Sequence, residues 1–83
     1  MNYFHVNITS ERRVATMLNN EQKYTLKELR ARKDWTQAET AGYLGISPQT
    51  YNAWEKDISN VAVSKVQAVA DLFEVRLDQI KLQ

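Results

Sequence analysis

Apolar residues change their spacing along this chain, and the change divides it. In residues 3–9, YFHVNIT, Phe4, Val6 and Ile8 take alternate positions, the period of a strand with one buried face. Ser10 stands where a cap opens a helix from Glu11 to about Asn19, carrying Val14, Met17 and Leu18. The polar run Asn19-Asn20-Glu21-Gln22 is the clearest boundary. It sets residues 1–23 apart as an N-terminal extension from a domain over 24–83. Beyond it the period is helical throughout.

Five helices are expected in that second part. Tyr24 or Thr25 opens the first, which turns Leu26 and Leu29 inward and ends near Asp34. Thr36 caps the second, with Glu39 three residues on to complete a capping box. Ala38, Ala41 and Leu44 form its inward face, and Gly45 follows where a helix ends in the left-handed conformation. Ser47 caps the third, and Pro48 takes the first-turn position, where its missing N–H is harmless. Tyr51 and Trp54 make the inward stripe of that helix, and with Trp35 they read as core rather than as a platform for unstacked bases. A fourth helix starts near Ala62 and repeats Val63, Val66, Val69, Ala70 and Phe73 at intervals of three and four. Arg76 to Lys81 is a last short helix presenting Leu77 and Ile80. The fold class is therefore all-α, a compact five-helix domain behind an extension with its own strand and helix.

Composition then removes whole classes of chemistry. The chain has no cysteine, so disulfides, thiolate nucleophiles and cysteine zinc sites are out, and its single histidine, His5, builds no metal site alone. No nucleophile–base pair or phosphate loop is in view, so an enzyme is not expected, nor any cofactor. Apolar runs are short and the N-terminus lacks the basic-then-apolar order of a signal peptide, which points to the cytoplasm. Formal charge is only +1, unevenly spread. Residues 23–33 set Lys23, Lys27, Arg30, Arg32 and Lys33 against Glu28, whereas residues 57–83 carry three basic and four acidic side chains. The lysines of the first group read mainly as a solvated face.

The tight junction at Gly45-Ile46-Ser47 is the informative feature. A turn this short fixes the angle between its two helices and makes the second stand off the body. Such a helix fits a DNA major groove, about 12 Å wide. Its outward positions hold Pro48, Gln49, Asn52, Ala53 and Lys56, with Thr50 at the flank. Carboxamides pair with adenine N6 and N7, and a methyl such as that of Ala53 touches thymine. Ser47, at the cap, belongs to the same DNA-facing set.

Residues 24–82 resemble the lambda-repressor-like, Cro or Xre-type helix-turn-helix family. The resemblance rests on Thr36-Gln37, Ala41, Leu44-Gly45-Ile46-Ser47, Trp54-Glu55 and the run Leu72-Phe73-x-Val75-x-Leu77-Asp78-x-Ile80. It implies that Gln37 bonds a phosphate, that Pro48, Gln49, Asn52 and Ala53 read bases, and that Arg30 pairs with Glu55 as a scaffold. Three departures stand out. Thr40 replaces a usual leucine and thins the core under the second helix. Asp57 replaces a glycine after the third, where a left-handed residue is expected. Glu74 replaces the glycine ending the fourth, with Arg76 in place of a Ser or Thr cap.

The expected function is sequence-specific regulation of transcription by a phage-type or mobile-element repressor from a bacterium. Modest charge means few phosphate contacts per subunit, so a homodimer on a palindromic operator is expected. Leu77, Ile80 and Leu82 form the family-like interface, with the N-terminal strand as rival. The alternative is a protein-interaction module, an antitoxin or adaptor whose partner is a toxin or antirepressor. Met17 stands close to where such domains begin. Arg12-Arg13 ahead of it fits a translated ribosome-binding site if encoded AGG AGG, and a genuine N-terminal arm fits equally.

Overall fold

The structure, a computed structural model, describes residues 22–82. Four α-helices follow one another: α1 Leu26–Lys33, α2 Gln37–Leu44, α3 Pro48–Lys56 and α4 Val63–Phe73, then a 3-10 turn at Leu77–Gln79. The expected fifth helix over 76–81 is thus a single tight turn. Its chain straightens at Ile80 because the backbone there pairs elsewhere. Tyr24 and Ile80 form a parallel bridge, with Tyr24 N donating to Gln79 O at 2.7 Å and Lys81 N to Tyr24 O at 2.8 Å. The strand over 3–9 and the helix over 11–19 lie outside the described residues, as does His5.

Local chemistry explains where each helix starts. Thr25 and Thr36 both make full capping boxes: each hydroxyl accepts from a backbone N–H three residues on, and the glutamate there accepts from the threonine N–H. Ser47 Oγ accepts from Thr50 N at 3.1 Å, with Pro48 just inside α3. The start of α4 is plainer, since Ala62 offers no side-chain cap.

Three helix ends repeat one pattern. Asp34, Gly45 and Glu74 adopt left-handed conformations with φ of 59°, 71° and 60°. In each case the next residue's N–H reaches back five positions: Trp35 to Arg30, Ile46 to Ala41, Val75 to Ala70. Those following residues, Trp35, Ile46 and Val75, pack against the core, so each helix end is tied by a hydrophobic contact as well. Asp57 corrects its expectation. Its φ is −164°, extended backbone open to any residue, because α3 runs out without a left-handed cap.

Leu26, Leu29, Ala41, Tyr51, Val66, Val69, Ala70, Phe73 and Ile80 form the core, joined by Ile58 from the α3–α4 connection. Ile58 is tied down by its N–H, which donates to Leu82 O at 2.9 Å. Two expected inward residues are not inside. Ala38 is exposed, and Thr40 takes the place in the interior beside Ala41. Thr40 is fully buried without cost to its hydroxyl, which donates to Thr36 O at 2.9 Å. Val63, at the first turn of α4, is 69% exposed, three residues ahead of the buried Val66. Trp35 and Trp54 are half-buried against the core. The Trp35 ring lies 4.7 Å from Tyr43 and 5.9 Å from Phe73, centroid to centroid.

Candidate nucleic-acid interface

The junction between α2 and α3 consists of Gly45, Ile46 and Ser47 alone. Gly45 supplies the left-handed turn, Ile46 anchors it inward and Ser47 starts the next helix. Tyr51 then fixes which side of α3 faces in, since it is completely buried. The opposite side follows from the 3.6-residue period. Pro48, Gln49, Ala53 and Lys56 are exposed on it, and Asn52 is half-buried at its edge. Thr50 and Ser47 are also exposed but occupied with each other, Ser47 Oγ donating to Thr50 Oγ1 at 2.9 Å.

An ion pair sets the height and tilt of α3. Arg30, from α1, donates through Nε to Glu55 Oε2 at 2.6 Å and through Nη2 to Glu55 Oε1 at 3.3 Å, a two-pronged contact that resists rotation. A third donor, Nη1, reaches Trp35 O at 3.1 Å. The pair is largely shielded, with 18% of the Arg30 and 7% of the Glu55 side chain exposed. Burial by itself would raise the Glu55 carboxyl, but Arg30 and Gln37 outweigh it and hold that carboxyl below its ordinary range. The same pair raises Arg30 further. Tyr51 lies beside it with its hydroxyl buried and without a hydrogen-bond partner. Burial, with the Glu55 charge next to it, pushes the phenol well above the usual tyrosine range.

Gln37, at the first position of α2, joins this network instead of standing free. Its Nε2 donates to Glu55 Oε1 at 2.9 Å and to Asn52 Oδ1 at 3.1 Å. Gln37 and Asn52 are brought together and Gln49 is left to itself. The sequence offered no sign of this bond, because its partners lie on separate helices fifteen positions apart.

The basic group of residues 23–33 is mostly engaged. Arg30 serves Glu55, Lys33 Nζ lies 3.2 Å from Glu74, Arg32 sits over the Tyr24 ring at 4.3 Å, and Lys23 donates to Asp78 O at 2.7 Å. Residues 36–56 themselves carry Glu39, Glu55 and Lys56, so the presenting unit is not basic. Among the described residues no group of His, Cys, Asp or Glu could hold a metal, and no helix is long and apolar enough to cross a membrane.

A feature the pattern of residues did not announce lies at the other end of the domain. Ile58, Val61, Val63, Val66, Leu77 and Leu82 line an open apolar groove of about 610 Å³, rimmed by Lys23, Asp78 and Lys81. Of its lining, Leu77 and Leu82 belong to the tail expected as an interface, and Val63 to the helical repeat expected to face inward.

The family model described as helix-turn-helix matches residues 26–80, which is α1 through the 3-10 turn. The chain belongs to the lambda-repressor-like, Xre-type helix-turn-helix family. Within that helix-turn-helix family it is similar to the HTH-type transcriptional regulator AnsR of Bacillus subtilis (strain 168), 34% identical over 55 residues. That stretch covers 66% of this chain and 47% of AnsR, so the chain spans about half the length of the relative it matches. No solved structure matches it.

Proposed function

We propose that this chain is a sequence-specific, double-stranded DNA-binding regulator of transcription, of the phage or mobile-element repressor type. One observation carries the reading: α3 displays Pro48, Gln49, Asn52 and Ala53 outward, while Arg30, Glu55, Ser47 and Gly45 hold its direction. In this reading α3 enters the major groove, Gln49 and Asn52 meet base edges, Ala53 meets a thymine methyl and Lys56 lies near a phosphate. Pro48, Ser47 and Thr50 line the approach of the helix N-terminus. The helix-turn-helix match and the likeness to AnsR support DNA-binding regulation of transcription.

A near-neutral presenting unit gives few phosphate contacts, so one subunit binds weakly and with a shallow salt dependence. Two subunits on half-sites about 34 Å apart restore both affinity and specificity. The apolar groove at Val63, Leu77 and Leu82 is the surface through which two copies meet. That groove also favours a second reading, in which it seats a protein partner such as a toxin or antirepressor and α3 has no DNA role.

Selection of bound duplexes from a random pool, paired with sedimentation of the protein alone, separates the two. A palindrome enriched by a dimer supports the regulator. A monomer that enriches nothing favours the adaptor. On the selected site Gln49→Ala should cost about 1–3 kcal/mol and relax preference at one base step.

A further inference from the structure

The family resemblance gives Gln37 a phosphate, but the amide of Gln37 has nothing left to offer one. Its nitrogen carries two hydrogens. One goes to Glu55 Oε1 at 2.9 Å and the other to Asn52 Oδ1 at 3.1 Å. The direction is dictated by chemistry: the Glu55 carboxylate, paired with Arg30, only accepts, so the amino side of Gln37 must face it. Reversing the amide would set carbonyl oxygen against carboxylate oxygen. What remains free is Gln37 Oε1, an acceptor, and a phosphodiester presents only acceptors.

The consequence passes to Asn52. Its Oδ1 must face the Gln37 amino group, because turning it would oppose two sets of donors. The Asn52 amino group is therefore directed away from Gln37, and it has no partner among the described residues. Arg30, Glu55, Gln37 and Asn52 form an unbroken chain of hydrogen bonds from α1 to the presenting edge of α3.

We infer that Gln37 is a positioning residue for base readout, fixing Asn52 so that its amino group meets the base beneath it. The base at that step must then present an acceptor, which purine N7, guanine O6 and thymine O4 do and the cytosine amino group does not. The inference rests on the regulator reading of α3, and it replaces a backbone role for Gln37 with a sequence-reading one.

The test is a set of binding constants for all four bases at each step of the selected half-site, using wild type, Gln37→Ala, Asn52→Ala and the double variant. Gln37→Met, which keeps volume and loses both hydrogen bonds, accompanies them so that a packing defect in the alanine variant is recognised. Gln37→Ala and Gln37→Met should both cut discrimination against cytosine about 5-fold at the one step that Asn52→Ala also flattens. In the double variant that step should be no flatter than in Asn52→Ala, and the salt slope should match wild type. A uniform loss across all sequences, with the salt slope shallower by about 1, would assign Gln37 to a phosphate and overturn the inference. Wild-type protein that selects no duplex overturns the regulator reading and this inference together. Selection with an unaltered step in both Gln37 variants overturns the inference alone.

Discussion

The α2–α3 unit and the α4–tail unit are built to different standards. In the first, every junction is satisfied by a residue suited to it: a full capping box at Thr36, glycine at the left-handed Gly45, a serine cap with proline behind it, and a two-pronged ion pair behind α3. In the second, α4 starts at Ala62 with no side-chain cap and ends on Glu74 in the left-handed region, and the tail leaves Val63 and Leu82 in the open. The same hydrogen-bond pattern closes α2 and α4, so the difference lies in the side chains and not in the geometry. The more loosely capped end borders the apolar groove.

Breaking the ion pair should do most damage to this contrast. Glu55→Ala leaves Arg30 shielded without its partner and frees the Gln37 amide, and should destabilise by about 2–3 kcal/mol, below the full cost of a buried pair because Arg30 keeps some solvent. The pH dependence has a definite sign. Glu55 sits below its ordinary 4.5 when folded, so the unfolded chain binds more protons in acid. The contribution of Glu55 is complete above the unfolded value and is lost as pH falls through the lower folded one. Urea titrations of wild type and Glu55→Gln should differ by a constant amount at neutral pH, begin to converge as pH falls below about 4.5, and meet only below the lower folded value of Glu55.

Gly45→Ala comes next. A Cβ there meets nothing within 4 Å, so the cost is that of placing an L-residue at φ 71°, about 1–2 kcal/mol. A denaturation midpoint that falls by this amount with an unchanged slope is the expected result.

Glu74→Gly should act in the opposite direction. It relieves the left-handed strain at φ 60° and should stabilise by about 0.5–1 kcal/mol. The exposed contact to Lys33 that it removes is worth little. If Glu74→Gly destabilises the domain, the α4 end is not the looser one.

Helix starts were the most legible part of the fold, because a cap is a property of four adjacent residues. Thr36-x-x-Glu39 and Ser47-Pro48 declare themselves. Helix ends were half legible: Gly45 is unambiguous, whereas Asp57 was misassigned because a family glycine suggested a left-handed turn that the backbone does not make. The period alone misread the inward face of α2 in choosing Ala38, whereas the resemblance put Thr40 at a core position; side-chain polarity does not reveal that its hydroxyl can satisfy itself on its own helix. Ile58 went unnoticed because a connection has no period to betray a buried residue. The Arg30–Glu55 pair came through the family resemblance, and the outward positions of α3 from its period. The Gln37–Asn52 bond depends on how closely two helices cross, and no spacing within one helix encodes that.

The claim that α3 is the reading element is most directly tested by following the side-chain amide signals of Gln37, Gln49 and Asn52 by nitrogen-15 NMR while the selected duplex is added. If α3 reads the duplex, Gln49 and Asn52 shift strongly and Gln37 less, while backbone signals at Val63, Leu77 and Leu82 stay quiet. Perturbation confined to the apolar groove, with the three amides unmoved, would contradict it.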